Sequence, residues 1–382
     1  MSFVLSDSGY HDRFKPLSLT RSIADFRIGI LTLREKWEKY LGEKVYVSTE
    51  RYLQNKYDDV KEDDCVVIPS VVIPDFNLVK AIRTLKEGML TKDGLVLASI
   101  GKNPSSKANV EYTGKVFVLN SLTDIFSLNG MEINKDFELL TAGRKSKAIS
   151  ATNITFGKCP VFVEEGCKIE CATFNTDGGP IYIGANSEVM EGANIRGPFA
   201  MCEHAVLKMG AKMYGDTTIG PWCKVGGELS NVVFFGYSNK AHDGFLGNSV
   251  VGEWCNFGAD SNNSNLKNNY AEVKLWSYET QRFENTGLQF CGLIFGDHSK
   301  CGINTMFNTG TVVGVSANIF GAGFPRNFVP SFSWGGASGF TEYKLETAFE
   351  VMERVMARRH VELTATDKAI MKHIFESNPN YR

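Results

Sequence analysis

The densest group of residues able to do acid–base chemistry is GYSNKAHDGFLG at 236–247, followed by EWCNFGADSNNSNLKNN at 253–269. His242 is one of six histidines, and Lys240 stands two residues before it. An imidazole titrates near neutrality. Beside a lysine and amide donors it suits a general base that takes a proton from an amine or a hydroxyl. A lone histidine on a glycine-rich turn is more often a plain surface residue, so its setting must decide. Asp297-His298 is a second acid–histidine pair, but it falls where any polar residue would serve, and the bland reading is preferred. His204 and His373 read as surface residues, and no His, Cys and Asp spacing matches a zinc site.

The elements that must position His242 are set by a six-residue rhythm. Ile183, Val189, Ile195, Met201, Leu207, Met213, Ile219 and Val225 follow one another at that step. A helix repeats every 3.6 residues and a strand every two, so neither gives this spacing. Six is the period of a hexapeptide β-helix, in which each step is a short strand plus a corner. Val163 and Ile169 begin the step, and Asp177-Gly178-Gly179-Pro180 interrupts it. After a two-residue slip, Val233, Asn239, Phe245, Val251 and Phe257 continue it; Phe295, Cys301, Phe307, Val313 and Ile319 resume it later. Residues 260–288 leave the period in a polar, Asn-rich excursion, and long excursions from a compact repeat are usually functional. Each buried aliphatic step contributes about 1.5–3 kcal/mol, and the coils must stack to bury them.

Residues 1–145 have a different texture. Apolar runs at 3–5, 45–47, 65–68, 71–73, 95–99 and 116–119 read as strands. Helices are expected at 31–41, 76–87 and 121–134, the second stopped by Gly88. Strands alternating with helices predict a small α/β layer on a largely parallel sheet. The small, basic stretch 141–150 marks the boundary. The β-helix is expected over 150–340 and two helices over 341–382. Leu345, Phe349, Met352 and Met356 line the first of these, and Thr364 caps the second with Asp367 three residues on.

The 382 residues are 43% hydrophobic and 22% charged with a net charge of −2, which argues against a general nucleic-acid or membrane-surface binder. Nine cysteines without a CxxC pair read as reduced thiols of a cytoplasmic protein; Cys223, Cys255 and Cys301 serve as small apolar fillers of the repeat. No leader-like start or apolar run of membrane-spanning length is expected.

SNKAHDGFLGNSVVGEWCNFGA resembles the acetyltransferase half of the bifunctional N-acetylglucosamine-1-phosphate uridyltransferase/glucosamine-1-phosphate acetyltransferase family. The pattern is carried by Lys240, His242, Leu246-Gly247 and Asn256-Phe257-Gly258-Ala259. PLSLTRSIADFRIGILTLREKWE, GPIYIG and FCGLIFGDHSKCGINTMFNTGTVVG extend the likeness to a Bacteroidetes-type subgroup described as sugar nucleotidyltransferases. The resemblance implies a left-handed parallel β-helix assembled as a homotrimer, acetyl-CoA as co-substrate, and a small-molecule sugar phosphate as acceptor. It implies His242 as the catalytic base. Lys224, Lys240, Asn256, Asn265 and Lys274 are implied on the acceptor, and Lys300 and Arg326 on the coenzyme's phosphates. Phe245 stands where the family usually has a tyrosine. The nucleotidyltransferase loop is echoed only by Gly9, Arg13, Lys15-Pro16 and Arg21, so Arg13, Lys15 and Arg21 are the candidates for a nucleotide. Arg27 and Arg34 read as phosphate ligands or as solvated helix charges. Where a metal-binding Asp is expected, Ile68-Pro69-Ser70 stands, with Asp75 nearby; Mg2+ is called for only if this domain is active.

Three functions follow as expectations. The first is an N-acetyltransferase acting on an amino-sugar phosphate. The second is a sugar-1-phosphate nucleotidyltransferase using UTP or dTTP, with the β-helix for assembly. The third is a non-catalytic trimer that binds a sugar nucleotide.

Overall fold

The six-residue steps build a parallel β-helix. In the computed structural model, which describes residues 1–58, 65–101 and 108–377, all eight residues from Ile183 to Val225 are buried in one continuous core. Short strands stack in register: Glu188 pairs with Val206 and Val206 with Lys224, each 18 residues on. The sequence slip is two short coils, since Lys224 pairs with Asn239, only 15 residues further, and Asn239 with Asn256, 17 further. The missing residues are absorbed by the nine-residue strand Glu228–Gly236, which runs on from one stack of strands into the next.

The slip also moves the inward positions. Asn239 and Phe245, expected inside, are half-buried; Lys240 and Leu246 are the buried ones. Lys240 pairs with Val225 and so continues an aliphatic column with a lysine. Cys223, Cys255 and Cys301 do pack in the core, and burial pushes all three thiols up, Cys223 to about 12. Asn256 pairs with Lys300, 44 residues on. The excursion therefore lies between these coils, but Asn262–Asn263 still pairs with Met306–Phe307, so the chain leaves the stack only after Asn263.

The chain divides into two compact units: residues 1–14, 18–26 and 31–121 form the first, and residues 15–17, 27–30 and 122–382 the second. The division differs from the boundary expected near 145: Asp124–Ser127 and Asn129–Thr141, two helices where one is expected, belong to the second unit. Segment 27–30 does too. Asn129 Oδ1 accepts from Gly29 N at 2.7 Å, and Asp136 Oδ2 accepts from Ile30 N at 2.8 Å. Arg27 donates to the carbonyls of Phe235 and Ile30. Arg27 is thus a buried clasp, not a solvated charge.

In the first unit, strands Val45–Ser48, Ser2–Ser6 and Cys65–Pro69 are parallel neighbours. Beyond them the sheet turns antiparallel through Leu95–Ile100 and Met89–Lys92, so the sheet is mixed rather than largely parallel. Helix Leu33–Leu41 starts at a capping box between Thr32 and Glu35. Asp75 accepts from Leu78 N at 2.8 Å and is the cap of helix Phe76–Thr84. Helices Leu345–Ala357 and Ala365–Ser377 close the chain, the second capped by Thr364 and Asp367. No described helix is long and apolar enough to cross a membrane.

Candidate functional site

His242 stands on the turn after the two-residue strand Asn239–Lys240. The turn is held from inside. Lys240 is 1% exposed, and its Nζ donates to the carbonyl oxygens of His242 at 2.8 Å and Asp243 at 3.0 Å. Burial pushes its ammonium down to about 8, against the pull of the Asp243 carboxylate. A lysine expected to touch substrate instead fixes the backbone that carries the histidine. The imidazole itself is exposed and makes no hydrogen bond to any described residue, so it is available to a ligand.

The imidazole borders a groove of about 520 Å3, a size that suits a small ligand. Lys224, Asn239, Asn256 and Lys300 line its floor, and Arg358 and Arg359, just past helix Leu345–Ala357, line its rim. Four cations and no carboxylate face this space. Their mutual repulsion is felt at Lys224, whose ammonium is pushed down first by partial burial and then by Arg359, Lys208 and Arg358. Arg359 reaches Asn239 Oδ1 at 3.5 Å, while its Nε is buried without a hydrogen bond to any described residue. Lys300 donates to the His298 carbonyl at 2.8 Å, and burial lowers it to about 8. Converging like charges destabilise a fold unless an anion joins them. The groove thus brings an exposed imidazole together with four cations, an arrangement chemically able to pair a base with an anionic group.

Tyr237 and Trp254 also line it. Their rings stack at 4.2 Å between centroids, and His204 stacks on Trp222 at the same distance. All four occupy left-handed corner positions of successive coils. His204 is therefore part of a ladder and not a bare surface residue. Asp297 accepts from Glu253 N at 2.9 Å, and His298 is buried beside Trp254. Both are buried in contacts that shape the corner, whereas the sequence suggested a position where any polar residue would serve. His373 is exposed.

Other expected residues lie elsewhere. Asn265 belongs to a corner ladder: its Nδ2 donates to Asn248 Oδ1 at 2.8 Å, and Asn248 in turn donates to Asn231 at 3.2 Å once the Asn231 amide is oriented to satisfy its partners. Asn262 and Asn263 likewise bond the backbone of the coil below. Phe245 folds its ring over Gly247 and does not line the groove. Lys274 and Arg326 line a second cavity. In sequence terms the missed contributors are Arg358, Arg359, Tyr237 and Trp254. An arginine pair at a helix end reads first as a complement to the helix dipole, and only the packed structure brings it to the histidine.

In the first unit, Asp7 follows strand Ser2–Ser6, the middle one of the three parallel strands, at the carboxyl end where open α/β sheets bind ligands. Its carboxylate is buried and accepts from Ser22 Oγ at 2.9 Å, Thr49 Oγ1 at 2.6 Å and Ile23 N at 3.3 Å. Burial raises its pKa, and those hydrogen bonds oppose the rise. These donors are therefore already engaged by the chain's own carboxyl group. Arg13 is exposed over the Tyr10 ring and Arg21 is buried; Lys15 is counted with the second unit. Arg34 pairs with Asp25 at 2.9 Å. No group of three or more His, Cys, Asp or Glu side chains suited to a metal occurs among the described residues.

Residues 3–145 match a family model described as sugar nucleotidyl transferase. No protein of curated function matches the chain. Among solved structures, the polySia-specific acetyltransferase NeuO is similar at a TM-score of 0.32 and 12% identity, over 50% of this chain and 87% of that one. The polysialic acid O-acetyltransferase OatWY is similar at a TM-score of 0.23 and 13% identity, over the same shares. Likeness at that level carries no argument about substrate.

Proposed function

We propose that the chain is an acetyl-CoA-dependent N-acetyltransferase acting on an amino-sugar phosphate, with His242 as the general base. The observation that carries this reading is one groove whose lining combines an unengaged imidazole with four cations and no carboxylate. The imidazole takes a proton from the acceptor amine as its nitrogen attacks the thioester carbonyl. The C–N bond forms, the C–S bond breaks, and the imidazolium returns the proton to the departing thiolate. Lys224, Arg358 and Arg359 hold the acceptor's phosphate, which carries about two negative charges near neutrality. Asn256 supplies amide hydrogen bonds from the groove floor. Copies of the chain assemble as homotrimers in the cytoplasm, covering the corner on which Met209 and Ile303 are 70% and 69% exposed. Thiol release from acetyl-CoA, measured with hexosamine 1-phosphates and the matching unphosphorylated amines, tests the reading. Release that requires both the amine and the phosphate is expected; no release with any amine would overturn it.

A second reading has one specific support, the family-model match over residues 3–145. It assigns magnesium-dependent transfer of a nucleotide from UTP or dTTP to a sugar 1-phosphate, and pyrophosphate release would reveal it. The donors already engaged by Asp7 weigh against it.

A further inference from the structure

The excursion is not an irregular loop. It folds into an antiparallel hairpin, Lys274–Ser277 against Arg282–Asn285, tied back to the rod at its neck. Val273 N donates to Leu288 O at 2.8 Å, and Cys291 N to Asn265 O at 2.9 Å. Its seat is close: a side chain at Gly310, where φ is +67°, would come within 2.2 Å of the Lys274 carbonyl oxygen. Such a seat requires glycine there.

Beneath the hairpin lies a cavity of about 960 Å3 that shares no lining residue with the His242 groove. Its wall is aromatic. Trp276 stacks on Phe328 with centroids 4.4 Å apart and planes 14° apart, and Phe283 meets Trp276 edge-on at 5.4 Å. Its charge is of one sign: Lys267, Lys274 and Arg326 line it, and no carboxylate does. Lys267 donates to the Glu272 carbonyl at 2.7 Å. The side chains of Lys274 and Arg326 are exposed and make no hydrogen bond or ion pair to any described residue.

We propose that this cavity is a second binding site, for a nucleotide. The base packs against the aromatic wall, and the phosphate oxygens lie between Lys274 and Arg326. Aromatic faces hold any heteroaromatic base through its π-face, and the planar guanidinium and the ammonium match phosphate. An aromatic wall alone would suit many apolar ligands. Adding unpaired cations and excluding carboxylates selects those that are flat at one end and anionic at the other. The carrier of the acyl group and a nucleoside diphosphate sugar both have such an end. The site does not depend on the role assigned to His242.

Calorimetry on the full chain tests this with coenzyme A, adenosine 3′,5′-bisphosphate, UDP, UDP-N-acetylglucosamine, uridine and ribose 5-phosphate. At least one nucleotide is expected to bind, with the nucleoside alone and the sugar phosphate alone weaker by about tenfold or more. Binding confined to the adenine compounds identifies the acyl carrier, and binding confined to the uracil compounds identifies the nucleoside diphosphate; either meets the proposal. Arg326→Gln and Lys274→Ala should each weaken binding by about tenfold, whereas Lys372→Ala, on the exposed face of helix Ala365–Ser377, should leave it unchanged. Because Trp276→Ala could unseat the hairpin, the two exposed cations are the deciding variants. The proposal fails if no nucleotide binds below about 1 mM, the weak end of specific affinity. It also fails if binding is unchanged when Lys274 and Arg326 are replaced together.

Discussion

Replacing Lys240 by methionine separates its role inside the turn from any role on substrate. In the folded chain its ammonium lies at about 8 rather than 10.5, so keeping it charged at neutral pH costs about 3 kcal/mol at 1.36 kcal/mol per unit. Two charge-assisted bonds to the carbonyls of His242 and Asp243 oppose this, each worth about 1.5–3 kcal/mol. At pH 7 the variant is therefore expected to be less stable by only about 0–3 kcal/mol. The pH dependence is the sharper quantity. Between the folded and unfolded values the unfolded chain binds more protons at Lys240, so wild-type stability gains from this residue as pH rises. The gain from pH 7 to pH 10 amounts to about 2–3 kcal/mol. The methionine variant lacks it, and other titrating groups cancel in the difference. Urea denaturation of both proteins at a series of pH values measures the gap, which should widen by that amount. A gap that is constant with pH would refute a buried, charged Lys240. In the same variant, turnover should fall while acceptor affinity changes little, because the carbonyl of His242 loses its anchor.

Two more outcomes follow from the groove and its surroundings. Arg358→Ala with Arg359→Ala should raise KM for a phosphorylated acceptor by about tenfold or more and leave the unphosphorylated amine unaffected; steady-state kinetics with both acceptors checks this, and an equal loss on both would contradict a phosphate role. Asn265→Ala should cost about 1–3 kcal/mol of stability by orphaning the Asn248 amide oxygen, with KM unchanged; a rise in KM at unchanged stability would return Asn265 to the acceptor site.

The sequence and the structure part company at particular residues for physical reasons. The aliphatic columns were legible because every coil repeats the same burial, and the steps from Ile183 to Val225 all face the core. The period showed a slip there but could not show how it is shared between two short coils, because the strand Glu228–Gly236 absorbs missing residues without a break in hydrophobicity. Extrapolation therefore placed Asn239 inside and Lys240 outside. The asparagines of 261–265 looked like a polar loop, but amides stacked along a corner bond one another and the backbone, so polarity there marks regular structure. His242 was found from its local sequence. Its cationic neighbours were not, since Arg358 and Arg359 lie more than a hundred residues away in the chain and reach the groove only through packing of helix Leu345–Ala357.

The most direct test of the account is a paired measurement on His242→Ala: kcat for acetyl transfer to an amino-sugar phosphate, and the equilibrium dissociation constant for that acceptor. A general base contributes about 10²–10⁴-fold. The account predicts a fall of that size in kcat with the dissociation constant unchanged. An unchanged kcat, or a loss that comes wholly from weaker binding, would contradict it.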